Sequence, residues 1–189
     1  TVILVSQNGF YFVLIIKTNM NLKRIIAEYP NFPKKGILFR DFSPILNDTA
    51  AMSFIVEEFS KQFHPRDVDV FVGIESRGFI VASILAQKYS KGMVMLRKEG
   101  KLPGKTTKTS YTIEYGKAVL EIQKNALKKD ERVVICDDLL ATGGTAKAAG
   151  KLVKEIGAKV AGFAFIIELT ELNGSKELNK YKTVSLVKY

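Results

Sequence analysis

The feature that most constrains the fold of this chain is the stretch from Arg132 to Val153. It opens with the short β-branched run Val133 to Cys136, which is typical of a strand that is covered on both faces. Asp137 and Asp138 follow at the predicted end of that strand, and the pair Gly143-Gly144 then allows a sharp backbone turn. An amphipathic run follows the turn. The stretch therefore predicts a buried strand, a tight turn and a helix.

The predicted turn has the chemistry of a phosphate site. Consecutive glycines expose backbone N–H groups, and the start of a helix adds unpaired donors and a positive dipole end. Thr142 and Thr145 can donate hydroxyl hydrogen bonds to the same phosphate. Asp137 and Asp138 would repel a phosphate, so they suit vicinal hydroxyl groups or a hydrated metal nearby. A phosphate beside a diol describes ribose 5-phosphate, whereas the two carboxylates alone would also fit an ordinary turn with solvated charges.

Strands and helices alternate along the rest of the chain, which predicts a parallel α/β sheet. Helices are predicted at residues 20–29, 49–63 and 78–89, and strands at residues 68–74, 93–97, 160–169 and 183–187, with an extended segment at 36–41 and a hairpin over 111–123. Residues 98–110 are rich in Lys, Gly, Pro and Thr and lack periodicity, so we expect a mobile loop there. The absence of repeats and linkers predicts one domain at residues 20–189. Residues 1–19 form an N-terminal extension of uncertain status.

Composition narrows the class of protein. The 189 residues, 47% of them hydrophobic and 25% charged, are typical of a globular protein. The single cysteine excludes a disulfide framework and favours a reducing compartment, so we expect a cytoplasmic location. We interpret the net charge of +10 as a general surface charge, with a local contribution from Arg77, Arg97, Lys98 and Lys101 that suits an anionic ligand. Because the basic residues are scattered and the apolar run at residues 10–16 is too short to span a bilayer, we expect no nucleic-acid or membrane partner.

Charged groups follow three of the predicted strands. They are Glu75-Ser76-Arg77, Arg97-Lys98 and Asp137-Asp138. Ligands of open parallel sheets bind beyond the carboxyl ends of the strands. We therefore expect the three groups to form one site, in which the basic side chains suit a diphosphate and the carboxylates suit ribose.

Several blocks of the sequence resemble the type I phosphoribosyltransferase family. Residues 134–145 are similar to its phosphoribosyl-diphosphate signature. Five other blocks resemble its adenine-specific members: residues 29–33, 36–41, 75–79, 97–104 and 110–117. The resemblance covers residues 20–189. It implies a single-domain, Rossmann-like parallel sheet flanked by helices, with a small N-terminal hood and a mobile hairpin loop. It also implies a purine-salvage reaction, in which ribose 5-phosphate passes from 5-phospho-α-D-ribosyl 1-diphosphate to adenine and gives AMP and diphosphate.

The resemblance further implies roles for individual residues. The 5-phosphate would be bound by Ala141, Thr142, Gly143, Gly144 and Thr145, and the ribose hydroxyl groups by Asp137 and Asp138. The diphosphate would be bound by Arg77, Arg97, Lys98 and Lys101, with Mg²⁺ bridging substrate oxygens largely through water and no protein side chain as a direct metal ligand. Adenine would be bound by Leu38, Phe39, Arg40 and Leu139. Glu114 and Arg77 are the catalytic candidates, with Glu114 carried by the mobile hairpin as a proton acceptor or donor.

The resemblance implies a homodimer, and it leaves two other functions open. One is a transferase for another nucleobase. The other is a transcription regulator that senses phosphoribosyl diphosphate, which would require a DNA-binding module. Residues 1–19 are too short and too apolar to form such a module.

Overall fold

The computed structural model describes residues 2–7, 10–15, 20–113 and 116–189. They fall into two compact units, Thr1–Ala51 and Met52–Tyr189. None of the described helices combines the length and the apolar character needed to cross a bilayer. The predicted boundary between an extension at residues 1–19 and a domain at residues 20–189 stays a prediction.

The first unit consists of short elements. Strands β1 (Val2–Gln7) and β2 (Phe10–Ile15) pair as an antiparallel hairpin. A 3₁₀ helix at Leu22–Arg24 precedes strands β3 (Ala27–Pro30) and β4 (Leu38–Asp41), which are also antiparallel, and α1 (Ser43–Leu46) follows. The extended segment predicted at residues 36–41 is confirmed by β4.

The helix predicted at residues 20–29 is wrong. Only Leu22–Arg24 is helical, in a 3₁₀ turn, and Ala27–Pro30 is a strand. Leu22 and Ile26 are both buried, so their spacing of four residues reflected burial rather than an α-helix. Pairing with β4 supplies the hydrogen bonds that keep Ala27–Pro30 extended.

The second unit contains a seven-stranded sheet. Its elements, in chain order, are α2 (Thr49–Gln62, which begins before the unit boundary), β5 (Val70–Ile74), α3 (Gly78–Tyr89), β6 (Gly92–Lys98), β7 (Thr106–Ile113), β8 (Gly116–Gln123), β9 (Arg132–Leu140), α4 (Gly144–Glu155), β10 (Lys159–Glu168) and β11 (Thr183–Lys188). The strand order is β11-β10-β9-β5-β6-β8-β7. The first five strands in this order are parallel, and the β7–β8 hairpin continues the sheet in antiparallel fashion. The predicted parallel α/β sheet flanked by helices is therefore confirmed.

The core lies against the central strands. Val133 to Cys136 are completely buried, as the β-branched run predicted. A Cβ on Gly78 would lie 2.4 Å from the carbonyl oxygen of Cys136, and a Cβ on Gly73 would lie 2.8 Å from the carbonyl oxygen of Gly78. The start of α3 therefore contacts β5 and β9 directly, which only glycine at both positions allows.

Two predicted boundaries differ from the structure. Strand β9 does not end before Asp137 but runs on to Leu140, because it pairs with β10 as far as that residue. Residues 106–110 of the predicted loop belong to β7, which pairs with β8 along its whole length. The loop at residues 99–105 is hydrogen-bonded to β8 and to the residue after it. The N–H of Glu99 donates to the carbonyl of Val119 at 3.1 Å, and the N–H of Lys124 donates to the carbonyl of Lys105 at 3.0 Å.

Candidate active site

The charged groups meet where the strand order changes direction. In the sheet, β5 lies between β6 and β9. β6 is the next strand along the chain, whereas β9 comes later in the chain. The carboxyl ends of these three strands carry the groups that begin at Glu75, Arg97 and Asp137. Such a switch point is the usual ligand site of an open α/β sheet. The convergence predicted from the sequence is thus confirmed for these three strand ends.

The glycine turn and the start of α4 form a cluster of backbone donors. Gly143 has φ +83° and ψ −6°, a left-handed conformation that favours glycine, and its carbonyl accepts the N–H of Lys147 at 2.9 Å. The N–H groups of Gly144, Thr145 and Ala146 at the first turn of α4 have no partner within the helix. The positive dipole end lies at the same place. The predicted strand, turn and helix are confirmed, and the turn suits an anion.

A segment far along the chain supports this turn. A Cβ on Gly174 would lie 2.1 Å from the carbonyl oxygen of Ala141, and a Cβ on Gly143 would lie 2.5 Å from the carbonyl oxygen of Gly174. Beside this contact, Lys147 Nζ and Glu177 Oε2 form an ion pair at 2.7 Å. Sequence reasoning missed Gly174. Its position after Asn173 indicates a turn but says nothing about what that turn contacts.

The two aspartates are less accessible than their sequence position suggested. Asp138 is 4% exposed, and its Oδ2 lies 3.0 Å from Nε of Arg77. Within the part of the chain that the structure describes, this oxygen accepts no hydrogen bond. The backbone N–H of Asp138 donates to Oδ1 of Asp137 at 2.9 Å. The expectation that both carboxylates stand at a strand end outside the core is wrong for Asp138, because the strand continues and α3 packs against it.

Burial sets the electrostatics of this pair. It raises the pKa of Asp137 well above its ordinary value, and the neighbouring charge of Asp138 raises it further. Burial also raises the pKa of Asp138, and the Arg77 guanidinium opposes that rise. A buried acceptor without a hydrogen bond is costly. The pair is therefore suited to receive donors from a ligand, and the hydroxyl groups of a diol are such donors.

A third carboxylate gathers the basic residues. The side chain of Glu75 is 8% exposed. Its Oε2 accepts from Nε of Arg97 at 3.3 Å and from the backbone N–H of Lys98 at 3.0 Å, and its Oε1 accepts from Nζ of Lys101. Arg77 pairs instead with Asp138. The structure therefore brings Arg97, Lys98 and Lys101 together, although Lys98 joins the cluster through its backbone.

The residues predicted to contact adenine lie on two elements. Leu38, Phe39 and Arg40 belong to β4 of the first unit, and Leu139 is a half-buried residue of β9 in the second. Leu38 is 41% exposed, the ring of Phe39 meets that of Phe32 edge to face at 5.1 Å, and Arg40 Nε lies 3.5 Å from Glu28 Oε1. Glu114 lies outside the described residues.

The fold and the strand-end site define a phosphoribosyltransferase. In agreement, residues 45–188 match the family model described as the phosphoribosyl transferase domain. The adenine phosphoribosyltransferase of Nitrosopumilus maritimus is 69% identical over 170 residues, covering 90% of this chain and all of the relative. That of Cenarchaeum symbiosum is 55% identical over 170 residues, with the same coverage.

Solved structures agree with the sequence relatives. The adenine phosphoribosyltransferase of Thermoanaerobacter pseudethanolicus superposes with a TM-score of 0.85 at 45% identity, covering 89% of this chain and 98% of the other. The Saccharomyces cerevisiae enzyme, crystallised with adenine and an imino-altritol bisphosphate, gives 0.83 at 41% identity, covering 87% and 96%. The chain belongs to the adenine phosphoribosyltransferase family.

Proposed function

We propose that this chain transfers ribose 5-phosphate from phosphoribosyl diphosphate to N9 of adenine, forming AMP and diphosphate in purine salvage. The observation that carries the proposal is the strand-end site. A glycine turn at a helix start, a buried carboxylate pair and a cluster of cations lie at the carboxyl ends of three neighbouring parallel strands. The identity of 69% to a relative named for this reaction supports the choice of base.

The ribose 5-phosphate part of the substrate is assigned to β9 and the turn that follows it. Residues 141–145 bind the 5-phosphate through backbone N–H groups and the hydroxyl groups of Thr142 and Thr145. Asp137 and Asp138 accept hydrogen bonds from the ribose hydroxyl groups. Support comes from the N–H groups at the start of α4, which have no partner within the helix, and from the buried Asp138 oxygen that accepts no hydrogen bond from the described residues.

The diphosphate is assigned to Arg77, Arg97, Lys98 and Lys101. Arginine binds phosphate oxygens with two parallel hydrogen bonds, and a held leaving group favours cleavage of the bond to ribose. Arg77 immediately precedes α3 and pairs with Asp138, so it lies beside the proposed ribose position. This placement supports a catalytic role for Arg77 as the diphosphate leaves.

Magnesium fits this site as an ion that arrives with the diphosphate. The described residues contain no group of three or more His, Cys, Asp or Glu side chains that could hold a metal by themselves. Mg²⁺ dehydrates reluctantly and commonly keeps several waters while it contacts substrate phosphates. Asp137 and Asp138, beside the proposed ribose, would contact the water shell of the ion rather than the ion itself. When bound, the ion neutralises charge on the leaving diphosphate.

The base and its proton are assigned from family membership alone. Leu38, Phe39, Arg40 and Leu139 are assigned to adenine, and Glu114 is assigned the exchange of a proton with its imidazole nitrogens. The transition state resembles an oxocarbenium ion, so water must be excluded while the incoming base is held rigidly. A closing lid, expected from the sequence at residues 98–110, would exclude water.

The experiment that tests this function is an assay with labelled phosphoribosyl diphosphate and Mg²⁺. Adenine, hypoxanthine, guanine, xanthine and orotate are compared as acceptors, and we expect product only, or mainly, from adenine. Preferred use of another base would indicate a transferase for that base. Failure with all five bases, together with DNA binding in the same preparation, would favour a transcription regulator.

We also propose that the chain forms a homodimer in the cytoplasm. Family membership supports the dimer, and the buried, unoxidised thiol of Cys136 suits a reducing compartment. Light scattering of the purified chain should give twice the mass of 21.1 kDa.

A further inference from the structure

Glu75 occupies a position that the proposed reaction leaves without a role. It directly follows β5, its side chain is 8% exposed, and its two oxygens face different cations. Oε2 accepts from Arg97 Nε at 3.3 Å and from the backbone N–H of Lys98 at 3.0 Å, whereas Oε1 accepts from Lys101 Nζ. A buried carboxylate beside a proposed diphosphate site would repel the ligand unless cations stand between them.

We propose that Glu75 is a positioning residue, which holds the side chains of Arg97 and Lys101 where they bind the diphosphate. The inference rests on the proposed function. An arginine has five N–H donors and a lysine three. The contacts found here use Nε and one donor of Nη1 on Arg97 and one donor of Lys101. Both side chains therefore keep donors for phosphate oxygens.

The backbone around Lys101 is fixed by other contacts. Glu121 is 2% exposed, lies opposite Arg97 in the β6–β8 pairing, and accepts the N–H groups of Lys101 and Leu102, each at 3.0 Å. Arg97 Nη1 donates to the carbonyl of Lys101 at 3.0 Å. These contacts hold the main chain but leave the ends of the Arg97 and Lys101 side chains free to change rotamer. Glu75 holds those two ends in place.

The charge state of Glu75 supports this role. Burial alone would raise the pKa of this carboxyl, but hydrogen bonds from Lys101 and the Lys98 N–H, with the charges of Lys101 and Arg97, hold it below its ordinary value. Glu75 is therefore an anion at neutral pH. Without it, Arg97 and Lys101 would repel each other and lose rotamer freedom on binding the diphosphate.

The test is Glu75→Gln, which keeps the shape and removes the charge. Because both released side chains must then be ordered when the ligand binds, diphosphate affinity should fall at least about tenfold. The KM for phosphoribosyl diphosphate should rise by a similar factor, while the KM for adenine and the Kd for AMP, which lacks a diphosphate, should stay unchanged. Calorimetry with diphosphate and with AMP, both in Mg²⁺, measures the difference.

Glu99→Gln is the matched control. It makes the same change of charge just after the neighbouring strand β6, but Glu99 is 53% exposed and pairs with Lys108 at 2.8 Å. We expect wild-type diphosphate affinity for this variant. An equal loss in both variants would overturn the inference, because the effect would then be one of general charge.

Other outcomes would also overturn it. Unchanged or tighter diphosphate binding by Glu75→Gln would show that Glu75 does not orient the cations, and an equal loss of AMP affinity would indicate general damage to the site. If Glu75→Gln does not fold, Glu75→Asp replaces it, since a shorter carboxylate cannot reach both cations and should also weaken diphosphate binding selectively. A wild-type chain that forms no nucleotide refutes the proposed function, whereas an active wild type with unaltered variants refutes this inference alone.

Discussion

Replacing Gly174 with alanine tests whether the turn at residues 141–145 depends on a remote segment. The new Cβ would lie 2.1 Å from the oxygen of Ala141 and 2.9 Å from the nitrogen of Gly143, whereas Cβ contacts below 3.0 Å are essentially never found. The turn or its support must therefore move by about 1 Å, and a misplacement of that size can lower a rate by roughly 10²-fold. Because the 5-phosphate is common to phosphoribosyl diphosphate and AMP, both should bind more weakly.

The assay compares kcat/KM for AMP formation and the Kd for AMP in the variant and the wild type. Gly92→Ala is the control, because no heavy atom lies within 4 Å of the Cβ it would add. It should leave both quantities unchanged. Overpacking at Gly174 should also lower the free energy of unfolding by about 1–3 kcal/mol, which urea denaturation would detect. If Gly174→Ala keeps wild-type kcat/KM and AMP affinity, the contact does not position the phosphate turn.

Four further predictions concern other parts of the chain. Asp137→Asn combined with Asp138→Asn should lower turnover and AMP affinity, because charge-assisted hydrogen bonds of roughly 1.5–3 kcal/mol each are lost; wild-type turnover would contradict the ribose assignment. The pKa of Asp137 is raised in the folded state, so its ionisation destabilises the fold as the pH rises through that raised value. Asp137→Asn removes this ionisation, and the variant alone should therefore not have a lower melting temperature at pH ~7. Asp69→Asn should lower the melting temperature by a few degrees at neutral pH, because hydrogen bonds from the side chain of Arg132 hold the pKa of Asp69 below its ordinary value. That stabilisation exists above the unfolded pKa of about 3.9 and is lost as pH falls through the lowered value, so the two melting temperatures should converge in strong acid. Removal of residues 1–19 should leave turnover and melting temperature unchanged, since every assigned residue lies after them, and a clear drop in turnover would show that they support the site.

The buried aspartates illustrate a conflict between stability and function. Burial raises the pKa of both carboxyl groups, and at Asp138 the Arg77 guanidinium opposes that rise. A diol that donates two hydrogen bonds would favour the ionised form instead. In the proposed complex, ligand binding therefore supplies hydrogen bonds that the fold does not. For this reason we expect lower activity from the double substitution and undiminished stability from Asp137→Asn alone.

Local signals predicted the turn better than they predicted its surroundings. The buried run Val133 to Cys136 and the glycine pair after it have few alternative conformations, so the strand, turn and helix could be predicted without knowledge of the rest of the chain. The burial of Asp138 could not be predicted in this way. An acidic residue after an apolar run usually marks the end of a strand, and only the pairing of β9 with β10 and the packing of α3 carry the strand past it.

The sequence by itself determined the class of fold, the glycine turn at the start of α4 and the three strand ends that carry the charged groups, because each depends on neighbours within a few residues. Tertiary structure alone decided that residues 106–110 form a strand, that Gly174 supports the turn and that Glu75 gathers Arg97 and Lys101. These features join residues that lie far apart in the chain, and the partner that satisfies a strand edge, a buried charge or a close backbone contact leaves no trace in local periodicity. That is why the proposed cations could be found from the sequence, whereas the carboxylate that orients them could not.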